Sequence, residues 1–114
     1  MHELSITQSI VDAARERAAG RPVHRVLVRA GRLTAVVPEA MQFCFELIVE
    51  GTELAGARLE IEQPEGRGHC GACDTDFTLP DLVLLCPCGS ADVTVTGGRE
   101  LQIVSMVVGR TEVG

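Results

Sequence analysis

The chain has 114 residues, of which 46% are hydrophobic and 3% aromatic, and its formal net charge is −6. This apolar content is enough for a compact core and argues against general disorder. A nucleic-acid ligand would need a basic face, but the ten basic residues, all Arg, are scattered along the acidic chain. The composition therefore favours cations or basic protein surfaces as partners.

Targeting signals are not visible in the sequence. No apolar run reaches the length of roughly 20 residues that spans a bilayer, and the first twenty residues lack the basic start and long apolar stretch of a signal peptide. We therefore expect a cytoplasmic protein with no membrane partner. In that reducing compartment five cysteines are more often metal ligands, core residues or redox groups than disulfides.

The first half of the chain predicts the order helix, strand, helix, strand. Apolar residues four apart predict a helix over 4–19, and alternation predicts a strand over 23–30. A second helix should begin at Pro38 and end near Gly51, with an apolar stripe formed by Met41, Cys44, Phe45 and Ile48. A second strand is predicted over 57–63.

The segment 66–98 has a different composition, with four of the five Cys, six Gly and two Pro. It predicts an inserted lobe of turns and short hairpins, after which a third strand follows over 101–108. The expected fold class is α+β, a three-stranded sheet with two helices plus an inserted zinc-ribbon-like lobe. The expected domains are an α+β domain formed by 1–65 with 99–114 and an inserted lobe over 66–98.

The spacing of four cysteines predicts a metal site. Cys70 and Cys73 form one close pair, and Cys86 and Cys88 form another after twelve intervening residues. Four thiolates from two tight turns suit tetrahedral zinc, and a closed site of this kind would be structural. Iron or a redox dithiol pair are alternatives. His69 is either a substitute or outer-shell group, or an exposed loop histidine.

The first three residues, Met1-His2-Glu3, form a second candidate metal site. The α-amine of Met1, the backbone nitrogen of His2 and its imidazole can chelate one ion, with the Glu3 carboxylate or a further backbone nitrogen as the fourth donor. Planar nitrogen-rich sites of this kind favour Ni(II) or Cu(II). A solvated terminal histidine is the alternative interpretation.

Several other reactive side chains are assigned structural places. Cys44 lies on the apolar stripe of the second helix and is expected to be a core residue. Glu39 and Glu46 are expected on its solvated face, and His24 at the start of a strand. No Ser/His/Asp set, phosphate-binding loop or dinucleotide motif is visible, so we expect no enzymatic activity.

The motifs together resemble the HypA/HybF family of hydrogenase maturation factors. The resemblance rests on these segments: Met1-His2-Glu3-Leu4-Ser5, Val36-Val37-Pro38-Glu39, Cys70-Gly-Ala-Cys73, Leu85-Cys86-Pro87-Cys88-Gly89-Ser90 and Gly98-Arg99-Glu100-Leu101. They cover almost the whole chain in order. One departure is the missing residue between Pro87 and Cys88, which bears on the geometry of the second cysteine pair.

The resemblance implies a nickel metallochaperone. Ni(II) would bind at His2 with Met1 and Glu3, and a structural Zn(II) at Cys70, Cys73, Cys86 and Cys88. Its implied partners are a HypB-type GTPase and the large subunit of [NiFe] hydrogenase, with urease maturation factors as further partners in some members. We expect a monomer or a weak homodimer.

Two other functions use the same cysteines. A rubredoxin-like electron carrier would hold iron among the four thiolates. A zinc-ribbon module for nucleic acid is disfavoured by the acidic balance and by the absence of Trp and Tyr for base stacking.

Overall fold

The computed structural model describes residues 3–109, which form two α-helices and two three-stranded sheets. The predicted α+β class with an inserted lobe is confirmed. In chain order the elements are α1 (Glu3–Ala18), β1 (Val23–Ala30), a 3₁₀ turn (Arg32–Thr34), α2 (Pro38–Ile48), β2 (Arg58–Glu62), β3 (Gly66–Cys70), β4 (Thr75–Leu79), β5 (Val93–Gly97) and β6 (Leu101–Val108).

The chain divides into two compact units. The helical unit comprises Met1–Val28, Val36–Ile61 and Gln102–Gly114, and the cysteine unit comprises Arg29–Ala35 and Glu62–Leu101. The cysteine unit thus contains residues 29–35, 62–65 and 99–101 in addition to the lobe over 66–98. The assignment of nickel to one unit and zinc to the other stays a prediction.

The helical unit consists of α1, α2 and most of the sheet with strand order β2-β1-β6. Strand β1 alternates as predicted, with Val26 and Val28 fully buried and Arg25 exposed. Met41 and Phe45, one helical turn apart on α2, are 0% and 2% exposed. Because aromatic residues are few, aliphatic side chains form most of this core.

Helix α1 begins and ends one residue before its predicted bounds, and α2 begins at Pro38 as predicted and ends at Ile48, shortly before Gly51. Ala19 and Gly20 adopt positive φ angles of 51° and 85° directly after α1, which reverses the chain. Pro38 is the first residue of α2, where its missing N–H costs no hydrogen bond. Gly51, with φ of 75°, follows the end of α2. No helix among residues 3–109 is both long and apolar enough to cross a membrane.

The cysteine unit contains the second sheet, with strand order β4-β3-β5. The central strand β3 pairs antiparallel with both neighbours, so that Cys70 lies opposite Thr75 on β4 and Val93 on β5. A bulge between Arg67 and Gly68 interrupts the β3–β5 register. The predicted hairpins are therefore three strands of one sheet.

A close approach between two glycines holds the 3₁₀ turn within the cysteine unit. The Gly31 N–H donates to the Glu100 carbonyl and the Leu33 N–H to the Gly98 carbonyl, each at 2.8 Å. A Cβ atom on Gly31 would lie 2.1 Å from the Gly98 carbonyl oxygen. Any side chain at position 31 would therefore push the two backbones apart.

Candidate metal centre

Two turns of similar construction carry the four cysteines. In the first, the Asp74 N–H donates to the Cys70 carbonyl at 2.8 Å, and in the second the Gly89 N–H donates to the Cys86 carbonyl at 2.8 Å. The residue directly after the second cysteine is left-handed in both turns, with φ of 56° at Asp74 and 94° at Gly89. Glycine and aspartate tolerate this conformation better than most residues, which explains their places here.

The four sulfur atoms converge on one point. The Sγ atoms of Cys70 and Cys88 are 3.8 Å apart, those of Cys73 and Cys86 are 3.5 Å apart, and all four lie within 4.8 Å of one another. Around an ion with metal–sulfur distances of about 2.3 Å, a tetrahedral S4 set has edges of about 3.8 Å. The side chains present therefore fit a tetrahedral metal ion.

Backbone amides support the first sulfur of each pair. The Cys73 N–H points at Cys70 Sγ at 3.5 Å, and the Cys88 N–H points at Cys86 Sγ at 3.4 Å. The second pair has one intervening residue and the first has two, yet the distance between the amide nitrogen and the sulfur is nearly the same in both. The absence of a residue between Pro87 and Cys88 therefore does not separate the four sulfur atoms.

The thiols differ in burial and in their affinity for protons. Cys70 and Cys86 are buried, while Cys73 and Cys88 are exposed. The backbone amide of Cys73, opposed by desolvation, lowers the pKa of Cys70 to about 6. At Cys86 the Cys88 amide acts in the same direction, but desolvation and the neighbouring thiols raise the pKa to about 12. Ionisation of Cys86 is therefore disfavoured in the absence of a cation, and a positive ion among the sulfurs would favour it.

His69 interacts with carboxylates rather than sulfurs. Its Nδ1 lies 2.8 Å from Asp76 Oδ1 and its Nε2 lies 3.1 Å from Asp74 Oδ1. The hydrogen bond with Asp76 is the main cause that raises the pKa of His69 above its ordinary value. With both ring nitrogens engaged, His69 belongs to the surroundings of the cage in this structure, not to its ligand set.

Three polar residues beside the cage, Asp74, Thr75 and Asp76, were not predicted to contribute to the site. The Cys73 thiol donates to Thr75 Oγ1 at 3.2 Å, and the carboxylates that bind His69 come from the residue after Cys73 and from β4. The only sequence signal for them is the polar run Asp74-Thr75-Asp76 directly after the first cysteine pair.

The predicted nickel ligands lie at the edge of the described chain. Met1 and His2 lie outside the described residues, and Glu3 is the first residue of α1. The Glu3 carbonyl accepts a hydrogen bond from the buried Thr7 hydroxyl at 2.5 Å, which ties the backbone at Glu3 to the next helical turn. Cys44 is half-buried, while Glu39, Glu46 and His24 are exposed.

Comparisons with known proteins give one consistent family. Residues 1–108 match the family model described as hydrogenase/urease nickel incorporation, metallochaperone, hypA. The chain is 44% identical over 109 residues to hydrogenase maturation factor HypA of Geobacter sulfurreducens, covering 95% of this chain and 99% of the relative. It is 43% identical over 103 residues to HypA of Nostoc punctiforme, covering 90% and 91%.

A solved structure agrees with these relatives. The solution structure of the nickel metallochaperone HypA from Helicobacter pylori superposes with a TM-score of 0.68 at 25% identity, covering 95% of this chain and 97% of that chain. Sequence and fold therefore point to the same family over nearly the full length of the chain.

Proposed function

This chain belongs to the HypA family of nickel metallochaperones, and on that premise we propose that it binds Ni(II) at Met1, His2 and Glu3 and delivers the ion during hydrogenase maturation. The four-cysteine cage holds a separate Zn(II). In this proposal the recipient is the large subunit of [NiFe] hydrogenase, a HypB-type GTPase assists the transfer, and the process takes place in the cytoplasm. Urease maturation factors are further candidate recipients.

The convergence of the four sulfurs is the observation that carries this division of roles. A set of four protein ligands closes a tetrahedral site and leaves no position open for exchange, which suits a structural ion better than a cargo. Zinc in this cage would supply folding free energy to the surrounding turns. The cargo is then assigned to the nitrogen-rich donors of the first residues, which favour nickel.

The proposed nickel site has few donors, and they lie at the start of the chain, so the ion can be released. The amine of Met1 and the imidazole of His2 must both be deprotonated to bind, so nickel affinity falls as the pH falls below neutral. The proposed donors precede α1 or open it, so a partner can remove the ion without disturbing the buried side chains of the helical unit.

Metal analysis followed by nickel titration tests the proposal. Untagged protein and the His2→Ala variant should each contain one zinc per chain, and calorimetry should show nickel binding only in the untagged wild type. His24→Ala is the matched control, because His24 is exposed and lies on β1. It should bind nickel like the wild type.

Two results contradict parts of the proposal separately. Unchanged nickel affinity in His2→Ala would remove the site at the first residues. A red protein that contains iron and cycles by one electron would instead support the rubredoxin-like alternative for the cage.

Delivery is tested in cells that lack their own HypA, where wild-type protein should restore hydrogenase activity and His2→Ala should not.

A further inference from the structure

Helix α2 carries a second apolar stripe that the core does not use. Its buried stripe consists of Met41 and Phe45, and the following Val49 is also buried. Phe43 and Leu47, one turn apart on another side, are 63% and 56% exposed. A surface helix normally has one apolar stripe, so a second one is a candidate surface for contact with another molecule.

The exposed residues of α2 and the residues that follow it form one continuous face. Successive helical residues are rotated by about 100°, so five exposed positions fall within a sector of about 100°. We call this the outer face of α2, and its residues are Glu39, Phe43, Glu46, Leu47 and Glu50. It therefore combines two large apolar side chains with three carboxylates.

The charged residues in the segment that forms this face are all acidic. Residues 38–56 contain four Glu and no Lys, Arg or His. Glu53 forms an ion pair with Arg15 of α1, whereas Glu39, Glu46 and Glu50 extend from the outer face. A ligand for this face must therefore supply positive charge in addition to apolar surface.

A cavity opens beside the outer face and shares two of its carboxylates. It has a volume of about 390 Å³ and is lined by Phe45, Val49, 55–57, Glu46 and Glu50. Apolar walls together with carboxylates suit a side chain with a long aliphatic stem and a charged end, as in Arg or Lys. The cavity thus selects the same chemistry as the helix face.

We propose that the outer face of α2 binds an amphipathic helical segment of a partner protein, which carries apolar anchors beside Lys or Arg residues. The apolar anchors pack against Phe43 and Leu47, and a basic side chain enters the cavity near Glu46 and Glu50. A second copy of this chain fits poorly, because two such faces would bring like charges together on a protein of net charge −6. The inference does not depend on where nickel binds.

A designed peptide provides a direct probe. A fluorescent helical peptide of about 14 residues, with Leu on one face and Lys on the other, should bind the zinc-loaded protein in an anisotropy titration. The double variant Phe43→Ser/Leu47→Ser should weaken binding by about tenfold or more. The variant Glu46→Gln/Glu50→Gln should weaken it less, and added salt should weaken binding to the wild type.

Matched controls locate the binding surface. Leu82→Ser/Val83→Ser removes an equally exposed apolar pair, at 61% and 59%, from the lobe and should leave binding unchanged. A peptide with Glu in place of Lys should bind at least about tenfold more weakly. All substituted side chains are exposed, so each variant is expected to fold. Zinc content and far-UV circular dichroism check this for each variant.

Three outcomes would overturn the proposal. Absence of binding of the Leu/Lys peptide at millimolar concentration contradicts the proposal. Equal affinity for Phe43→Ser/Leu47→Ser and the wild type places the peptide elsewhere. Equal binding of the Leu/Glu peptide shows that the carboxylates do not select positive charge.

Discussion

The helical unit and the lobe over 66–98 are stabilised in different ways. In the helical unit, large side chains such as Phe45, Met41 and Val26 are at most 2% exposed and form an apolar core. In the lobe the buried apolar residues are Leu79 and the two cysteines Cys70 and Cys86. Two of the three best-buried side chains of the lobe are thus proposed metal ligands.

The lobe also exposes apolar side chains that a larger core would bury. Leu82, Val83 and Leu85, directly before the second cysteine pair, are 51–61% exposed. A segment that leaves this much apolar surface in water gains little from burial, and a structural zinc site at roughly 10–16 kcal/mol can replace that gain. We therefore expect the helical unit to be held by its apolar core and the lobe to depend on a bound metal for its order.

Loss of the metal should have the largest effect and should be confined to one unit. We expect Cys70→Ser to lose its stoichiometric zinc and to lose the fixed structure of 66–98, because the remaining sulfurs no longer close the cage. Amide NMR spectra should show collapsed dispersion for β3, β4 and β5, while α2 and β1 keep their native shifts. A strong chelator should reproduce this result in the wild type.

The control for this experiment is the fifth cysteine. Cys44 is half-buried on α2 and is not part of the sulfur cluster. Cys44→Ala should therefore retain one zinc per chain and the dispersed amide signals of the lobe. Native dispersion of the amide signals of 66–98 after complete removal of metal would show that the lobe is stable on packing alone.

A core substitution should have the next largest effect and act on the other unit. Phe45 is 2% exposed, so Phe45→Ala should lower the free energy of unfolding by about 3–5 kcal/mol through lost burial and the cavity left behind. Zinc content should stay at one per chain. Urea unfolding followed by the helical circular dichroism signal measures the change.

Phe43→Ala is the matched control, because it removes the same side chain from the exposed side of α2. It should change the free energy of unfolding by no more than about 0.5 kcal/mol. A large loss in Phe43→Ala would mean that Phe43 packs within the unit, and it would weaken the inference that a partner covers this face.

The helical unit was largely predictable from sequence because its signals are local. The predicted strand over 23–30 matches β1, and the predicted helix over 4–19 differs from α1 by one residue at each end. Apolar periodicity and the residues Gly20 and Pro38 mark these boundaries without any knowledge of the fold. The sheet of the lobe was not predicted, because the inward positions of β3, with the sequence GRGHC, are Gly, Gly and Cys and give no large apolar residues to mark a strand. The strand is defined by pairing with its neighbours.

The site residues divide in the same way, into those marked by local sequence and those that depend on the fold. Cysteine spacing alone indicated the four sulfurs that converge, since both pairs form local turns. The environment of His69 depended on pairing between strands, which sets His69 opposite Asp76. The outer face of α2 was missed for another reason, because a search for one apolar stripe assigns Phe45 to the core and treats the opposite side as solvated.

The smallest predicted effect concerns His69 and tests whether the charge of its imidazole stabilises the lobe. Its pKa is raised in the folded state above the ordinary value of 6.5 by Asp76 and Asp74. Folding therefore favours the protonated imidazole, and the resulting stabilisation is complete below pH 6.5 and is lost as the pH rises through the folded-state pKa. The exposure of both carboxylates, at 91% and 72%, keeps the effect small.

His69→Gln should therefore lower the melting temperature of the zinc-loaded protein at about pH 6 and have little effect at about pH 8.5. Measuring the variant and the wild type at each pH cancels the general weakening of zinc binding by acid, because that weakening affects both proteins. His24→Gln, an exposed histidine on β1, should show no such difference. An equal loss at both pH values would mean that a neutral hydrogen bond, not the charge of His69, stabilises the turn after Cys73.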